Sequence, residues 1–158
     1  MGNSFIIRFR EENTMKLTEK FPTLSFARDA DEFIRKWSGN ADIVAQLRER
    51  RIYRVEIVPL FVSGAGILFG DDGNFLVWLN DFYPPEEQAY SLGHEIGHTF
   101  HFDLSKTPPR SSYPRQAQDP VVESFCKEFS LLWVAQNSEN KIARRISNQA
   151  KLLVQHSL

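Results

Sequence analysis

The chain has 158 residues, of which 42% are hydrophobic and 25% are charged, and this composition is typical of a single globular domain over 1–158. Its net charge of −1 gives no reason to expect a nucleic acid or an anionic membrane as the main partner. No apolar run approaches the roughly 20 residues that span a bilayer. Cys126 is the only cysteine, so no intrachain disulfide can form, and we expect a cytoplasmic protein.

The first part of the chain predicts two helices after a weakly patterned segment. Residues 1–27 contain one candidate strand, Phe5–Phe9, and little else. Asp29 and Asp42 are candidate N-caps, because a carboxylate can accept hydrogen bonds from the free amides of a first helical turn. Apolar residues at helical spacing follow both of them. The predicted helices cover about 29–37 and 42–51.

A β-rich segment follows over about 52–80. Branched and aromatic residues predict strands that are separated by glycine-containing turns, and Asp72-Gly73 is typical of a hairpin. We therefore expect a small, mostly antiparallel sheet of three strands. The last strand, at 75–79, is expected at a sheet edge beside the functional cleft.

The second half of the chain predicts three helices. Pro85 begins the first, which should run to about residue 102, because proline fits a first turn and glutamates follow it. Asp119-Pro120 begins the second, to about 136, and includes Cys126 as a small core residue. The last helix covers about 139–155. The 17-residue segment 103–119 is rich in Pro, Ser and Arg and is expected to be a loop that borders the cleft.

The sharpest chemical signal is His94-Glu95-Ile96-Gly97-His98 within the helix at 85–102. Histidines four residues apart lie on the same helical face, where two imidazoles can bind one zinc ion. Glu95 is rotated by about 100° from His94, which suits a base acting on a zinc-activated water. Glycine costs roughly 1 kcal/mol in a helix interior, so Gly93 and Gly97 predict that another element packs closely against this helix.

The third zinc ligand is not settled by spacing alone. His101 follows the pair too closely on the same helix and is interpreted as a cleft wall or as a residue that contacts a metal ligand and not the metal. His156 lies too near the chain end to be a good candidate. Glu123 and Glu128 on the next helix are about 140° apart around its axis, so that only one of them can face the metal. Each lies at an edge of the apolar stripe, and both remain candidates.

Three segments of the chain resemble the ImmA/IrrE-type zinc metallopeptidases, a gluzincin-like family. The strand Phe75–Asn80 ends in asparagine, His94–His98 reads H-E-x-x-H, and Glu123–Val134 matches a helix pattern that begins with the third ligand. The resemblance covers about 52–136. It implies an α+β, zincin-like domain and selects Glu123 over Glu128. The chain departs from the family pattern at a few positions: Cys126 and Ser130 in place of alanine, Lys127 in place of asparagine and Gln136 in place of proline.

The expected activity is zinc-dependent hydrolysis of a peptide bond in a protein or peptide substrate. His94, His98 and Glu123 hold Zn²⁺, water takes the fourth position, and Glu95 is the general base. Two imidazoles and a carboxylate suit zinc. His101 and Tyr113 are candidates for oxyanion or substrate contacts. The resemblance further implies that the substrate is a regulatory protein such as a helix-turn-helix transcriptional repressor.

Three other functions are compatible with the same residues. The first is a small peptidase of broad specificity on the same motif. The second is a non-catalytic protein-binding module that retains the fold, with structural zinc or none, and a closed fourth coordination position would favour it. The third is an interaction protein of the toxin or antitoxin kind, which a copurifying partner would reveal.

Overall fold

The protein is an α+β domain in which helices cover a mixed three-stranded sheet. The computed structural model describes residues 15–60, 65–71, 73–104 and 119–156. The candidate strand Phe5–Phe9, Tyr113 and most of the predicted loop at 103–119 lie outside these residues. The elements are α1 (Leu17–Lys20), α2 (Ala27–Lys36), α3 (Ile43–Glu49), β1 (Ile52–Val58), β2 (Gly66–Asp71), β3 (Asn74–Asn80), α4 (Pro85–His98), a 3-10 turn (Thr99–His101), α5 (Pro120–Asn137) and α6 (Glu139–His156).

The sheet is mixed, with strand order β1-β3-β2, so the prediction of a mostly antiparallel sheet was wrong. β2 and β3 form the predicted antiparallel hairpin, in which Asp71 pairs with Asn74. β1 instead pairs with β3 in parallel, from Ile52 opposite Phe75 to Val58 opposite Asn80. Neighbouring strands usually pair in sequence order, and here the chain departs from that rule by placing β3 in the centre.

The central position of β3 also corrects its expected place at a sheet edge. Among the described strands, β1 and β2 are the outer ones. Asn80, at the end of β3, hydrogen-bonds to residues on both sides of the connection between β1 and β2. Its side-chain oxygen accepts from the Leu60 amide at 3.3 Å, and its backbone amide donates to the Ala65 carbonyl at 2.9 Å.

Local capping signals correctly predicted where two helices begin. The Asp42 side chain accepts from the Ala45 amide at 3.1 Å and begins α3. The Asp119 side chain accepts from the Val121 amide at 2.9 Å and begins α5, with proline in the first turn. Each bond satisfies an amide that has no partner inside its own helix.

Other boundaries differ from the prediction. The first predicted helix begins earlier, with Phe26 rather than Asp29 at the N-cap. α1 was not predicted, and the Asp31 side chain holds it by accepting from the Leu17 amide at 2.8 Å. The predicted helix at 85–102 ends as an α-helix at His98 and continues as the 3-10 turn. Among the described residues, no helix combines the length and apolar character needed to cross a bilayer.

Gly93 and Gly97 predicted that another element packs closely against α4, and this element is α5. A Cβ atom added to Gly97 would lie 3.1 Å from the Cα of Cys126, and one added to Gly93 would lie 2.7 Å from the Ser130 Oγ. Side chains at these positions would push the two helices apart. The glycines therefore bring α5, and the acidic residue near its start, against the histidine face of α4.

Candidate metal site

Three predicted ligands meet between α4 and α5. The carboxylate of Glu123 lies against both imidazoles: one oxygen is 2.8 Å from His94 Nε2 and the other is 3.1 Å from His98 Nε2. The two rings are 4.9 Å apart between their centroids. His98 is buried, whereas 27% of the His94 side chain and 36% of the Glu123 side chain remain exposed. The cluster therefore opens to solvent on the side of His94 and Glu123.

The chemistry of this donor set fits a zinc ion. Ligands that bind zinc at about 2.0–2.1 Å in a tetrahedron lie roughly 3.3 Å from one another, which is close to the 2.8 and 3.1 Å between the Glu123 oxygens and the two imidazole nitrogens. Burial, and then the nearby imidazoles of His94 and His101, lower the pKa of His98 to about 3. His98 is therefore neutral near physiological pH, which is the form that coordinates metals.

Glu128, the other carboxylate that spacing left open, does not join this cluster. One of its side-chain oxygens lies 3.0 Å from the Nζ of Lys20 on α1, and the two form an ion pair. This contact occupies Glu128 on a different side of α5 from Glu123. The structure thus places Glu123, and not Glu128, against the histidine pair.

Glu95 lies on the flank of α4 that faces the sheet. It is only 6% exposed, and a Cβ atom added to Gly66 of β2 would be 3.5 Å from its Cγ. Burial and then the negative charge of Glu123 raise the pKa of Glu95 to about 8. A pKa in this range suits a group that accepts and returns a proton near neutral pH.

Cys126 is the residue at this site that the sequence did not suggest as a ligand. Its Sγ and one ring nitrogen each of His94 and His98 lie within 4.8 Å of one another, so that this group could also hold a metal ion. It is fully buried, and burial followed by the charges of Glu95 and Glu123 raises the pKa of its thiol. The spacing could have suggested this thiol as a ligand, because Cys126 follows Glu123 by three residues and so lies on the same face of α5.

His101 lies behind His98. Its Nε2 is 2.9 Å from His98 Nδ1, and its own Nδ1 is buried without a hydrogen-bond partner among the described residues. Both ring nitrogens are thus directed away from the solvent-facing side of the cluster. Of the roles considered for His101, this placement favours support of a ligand over an oxyanion contact.

Comparisons of the chain with protein-family models, with curated proteins and with solved structures found no match.

Proposed function

We propose that the protein is a zinc-dependent endopeptidase. The observation that carries this proposal is that the Glu123 carboxylate joins the Nε2 atoms of both motif histidines, while Glu95 lies buried on the adjacent flank of the same helix. His94, His98 and Glu123 would hold the ion. A bound zinc ion supplies a water molecule of lowered pKa and polarises the carbonyl of a substrate.

Glu95 is the proton acceptor in this proposal. Its position beside the ligands, and not among them, follows from its rotation of about 100° from His94 around the helix. Burial raises the pKa of Glu95 to about 8 without metal, and the positive charge of a bound ion would lower it, so that Glu95 could take a proton and deliver it to a leaving amine near neutral pH. A structural metal site has no need of such a group, and the buried carboxylate supports a catalytic one.

An extended peptide is the substrate shape that the site suits. β2 is an outer strand of the described sheet, and its Gly66 lies beside Glu95. A strand at a sheet edge offers backbone amides and carbonyls that can pair with an added strand. We therefore propose that an extended substrate pairs with β2. The sequence had placed β3 at the sheet edge beside the cleft.

The substrate class rests on the resemblance to the ImmA/IrrE-type metallopeptidases. The described elements follow the order of that pattern: a strand ending in Asn80, the H-E-x-x-H helix, and a helix that presents Glu123. By this resemblance we propose that the protein acts in the cytoplasm and cleaves a flexible segment of a regulatory protein, such as a helix-turn-helix transcriptional repressor.

Replacement of single residues tests this function. Glu95→Gln should bind zinc as the wild type does but hydrolyse a flexible protein such as casein at least about 100-fold more slowly, because it removes the base and keeps the ligands. His98→Ala should lose both zinc and hydrolysis. Full activity of Glu95→Gln would remove the assigned base and with it the proposed mechanism.

Cys126 favours a second candidate, the non-catalytic binding module. If its sulfur joined His94, His98 and Glu123 on one ion, the four protein ligands would close the site, as in structural zinc centres. Such a protein would use the metal to hold α4 and α5 together and would bind its partners elsewhere. The identity of the fourth ligand separates the two candidates.

A further inference from the structure

The imidazoles of His98 and His101 form a pair that extends behind the candidate metal site. Their rings are nearly perpendicular, at 87°, with centroids 5.2 Å apart, and the Nδ1 of His98 meets the Nε2 of His101 at 2.9 Å. On its other side, the Nε2 of His98 contacts Glu123 at 3.1 Å. Both nitrogens of His98 are therefore engaged, one towards Glu123 and one towards His101.

The 3-10 turn holds His101 in this place. The hydroxyl of Thr99 donates to the Ile96 carbonyl at 2.6 Å, and the Arg50 guanidinium donates to both the Thr99 hydroxyl and the Thr99 carbonyl, at 3.0 and 3.2 Å. The rings of Phe26 and Phe102 flank His101, with centroids 5.9 and 4.5 Å from its own. With the turn bonded and the ring packed, His101 has little freedom to rotate away from His98.

The direction of the hydrogen bond in this pair depends on what His98 Nε2 binds. A neutral imidazole carries one N–H. When Nε2 donates to Glu123, the bare Nδ1 of His98 must accept from His101 Nε2. When Nε2 coordinates a metal, the proton of His98 sits on Nδ1 and donates to His101 Nε2, so that the proton of His101 moves to its own Nδ1.

We propose that His101 is a positioning residue that orients His98 for the metal, and that metal binding reverses the hydrogen bond between them. The inference rests on the proposed metal site and adds a role to it. An imidazole suits this role because it can donate in one state and accept in the other, whereas a carboxylate partner could only accept. The pair therefore stays hydrogen-bonded with and without metal.

Zinc affinity, measured by competition with a chelator, tests the positioning role. Removal of a hydrogen-bond partner behind a metal ligand typically costs 10–100-fold in affinity, and we expect a loss in this range, roughly 10-fold or more, for His101→Leu. His101→Gln keeps both a donor and an acceptor and should recover much of it. His101→Gln is therefore also the matched control, because it removes the same ring and keeps the hydrogen-bonding groups.

Nitrogen-15 NMR of the histidine rings tests the reversal on the wild-type protein, whether or not the variants fold. We expect His98 and His101 to carry their protons on Nε2 without metal and on Nδ1 with zinc. An unchanged His101 tautomer, or wild-type affinity in His101→Leu, would overturn the inference while leaving the metal site intact. A wild type that binds no zinc would overturn both this inference and the proposed function.

Discussion

Gly93 of α4 and Ser130 of α5 approach each other so closely that a Cβ atom on Gly93 would lie 2.7 Å from the Ser130 Oγ. The ring of Trp133 would lie 3.0 Å from that added Cβ atom. Ser130 also donates its hydroxyl proton to the Tyr90 carbonyl of α4 at 2.6 Å, which ties the helices together at this point. The acidic start of α5 reaches the histidines because α4 has no side chain of its own at Gly93, where the two helices meet.

We expect Gly93→Ala to destabilise the protein by about 1–3 kcal/mol, the usual cost of adding a methyl group to a packed interior. The direction of this change in the free energy of unfolding is informative, because alanine in place of glycine normally stabilises a helix by roughly 1 kcal/mol. Urea unfolding measures the change. In a Ser130→Ala background the cost should be smaller, since the nearest contact is gone. A Gly93→Ala protein that is more stable than the wild type would contradict the close packing of α4 on α5.

The stability of the metal-free protein should be greatest near pH 6.5. His98 and His101 have folded pKa values of about 3 and 4 against 6.5 unfolded, so the unfolded chain binds more protons and stability rises up to pH 6.5. Glu95 has a folded pKa of about 8 against 4.5 unfolded, so the folded protein binds the extra proton and this contribution falls between those values. Between pH 4.5 and pH 6.5, the rise in stability due to the two histidines exceeds the fall due to Glu95, and above pH 6.5 only the fall due to Glu95 remains.

Urea unfolding in the presence of a chelator, between about pH 4 and pH 9, measures this profile. Glu95→Gln is the control, because it removes the group that loses its proton above pH 6.5. The decline between pH 6.5 and pH 8 should be absent in that variant. A wild-type stability that keeps rising through this interval would show that Glu95 is not buried as the structure has it.

Cobalt substitution identifies the fourth ligand. A thiolate bound to Co²⁺ gives a charge-transfer band in the near ultraviolet, whereas nitrogen and oxygen ligands do not. If the site is catalytic, the cobalt protein should lack this band, and Cys126→Ala should bind cobalt as well as the wild type. A band that disappears in Cys126→Ala would assign the sulfur as a ligand and favour the closed, non-catalytic site.

Gly66→Val should impair hydrolysis without affecting the metal. The new side chain would stand 3.2 Å from the Trp78 carbonyl and 3.5 Å from the Cγ of Glu95, in the space beside the base. We expect a loss of about 10-fold or more in kcat/KM, since small displacements of reacting groups are costly. Ile67→Val is the matched control, because adjacent residues of a strand point to opposite faces. Unchanged hydrolysis by Gly66→Val would argue against a catalytic base that lies beside β2.

The sequence predicted best those features that depend on a few neighbouring residues. Asp42 and Asp119 mark helix starts because a cap needs only the next three amides. The parallel pairing of β1 with β3 could not be predicted in this way, because it joins strands with β2 between them in the chain. Asp72-Gly73 predicted the hairpin but carried no information about which side of it β1 would join.

The choice between Glu123 and Glu128 also depends on a contact between elements that are distant in the chain. Helical periodicity left both at the edges of the apolar stripe. The residue that separates them is Lys20, which pairs with Glu128 from α1, a helix that the sequence did not predict. The nearness of Cys126 to the histidines likewise depends on how closely α4 and α5 pack. The glycines of α4 predicted that some element would approach but did not identify it.

The zinc content of the purified protein, beside that of Glu123→Ala and Glu128→Ala, tests the central claim most directly. The two variants remove the same chemical group from the same helix, but only Glu123 contacts the histidines, whereas Glu128 pairs with Lys20. We expect about one zinc ion per chain in the wild type and in Glu128→Ala, and a large loss only in Glu123→Ala. A wild type that takes up no zinc when zinc is added, or a Glu123→Ala protein that keeps it, would contradict the proposed site.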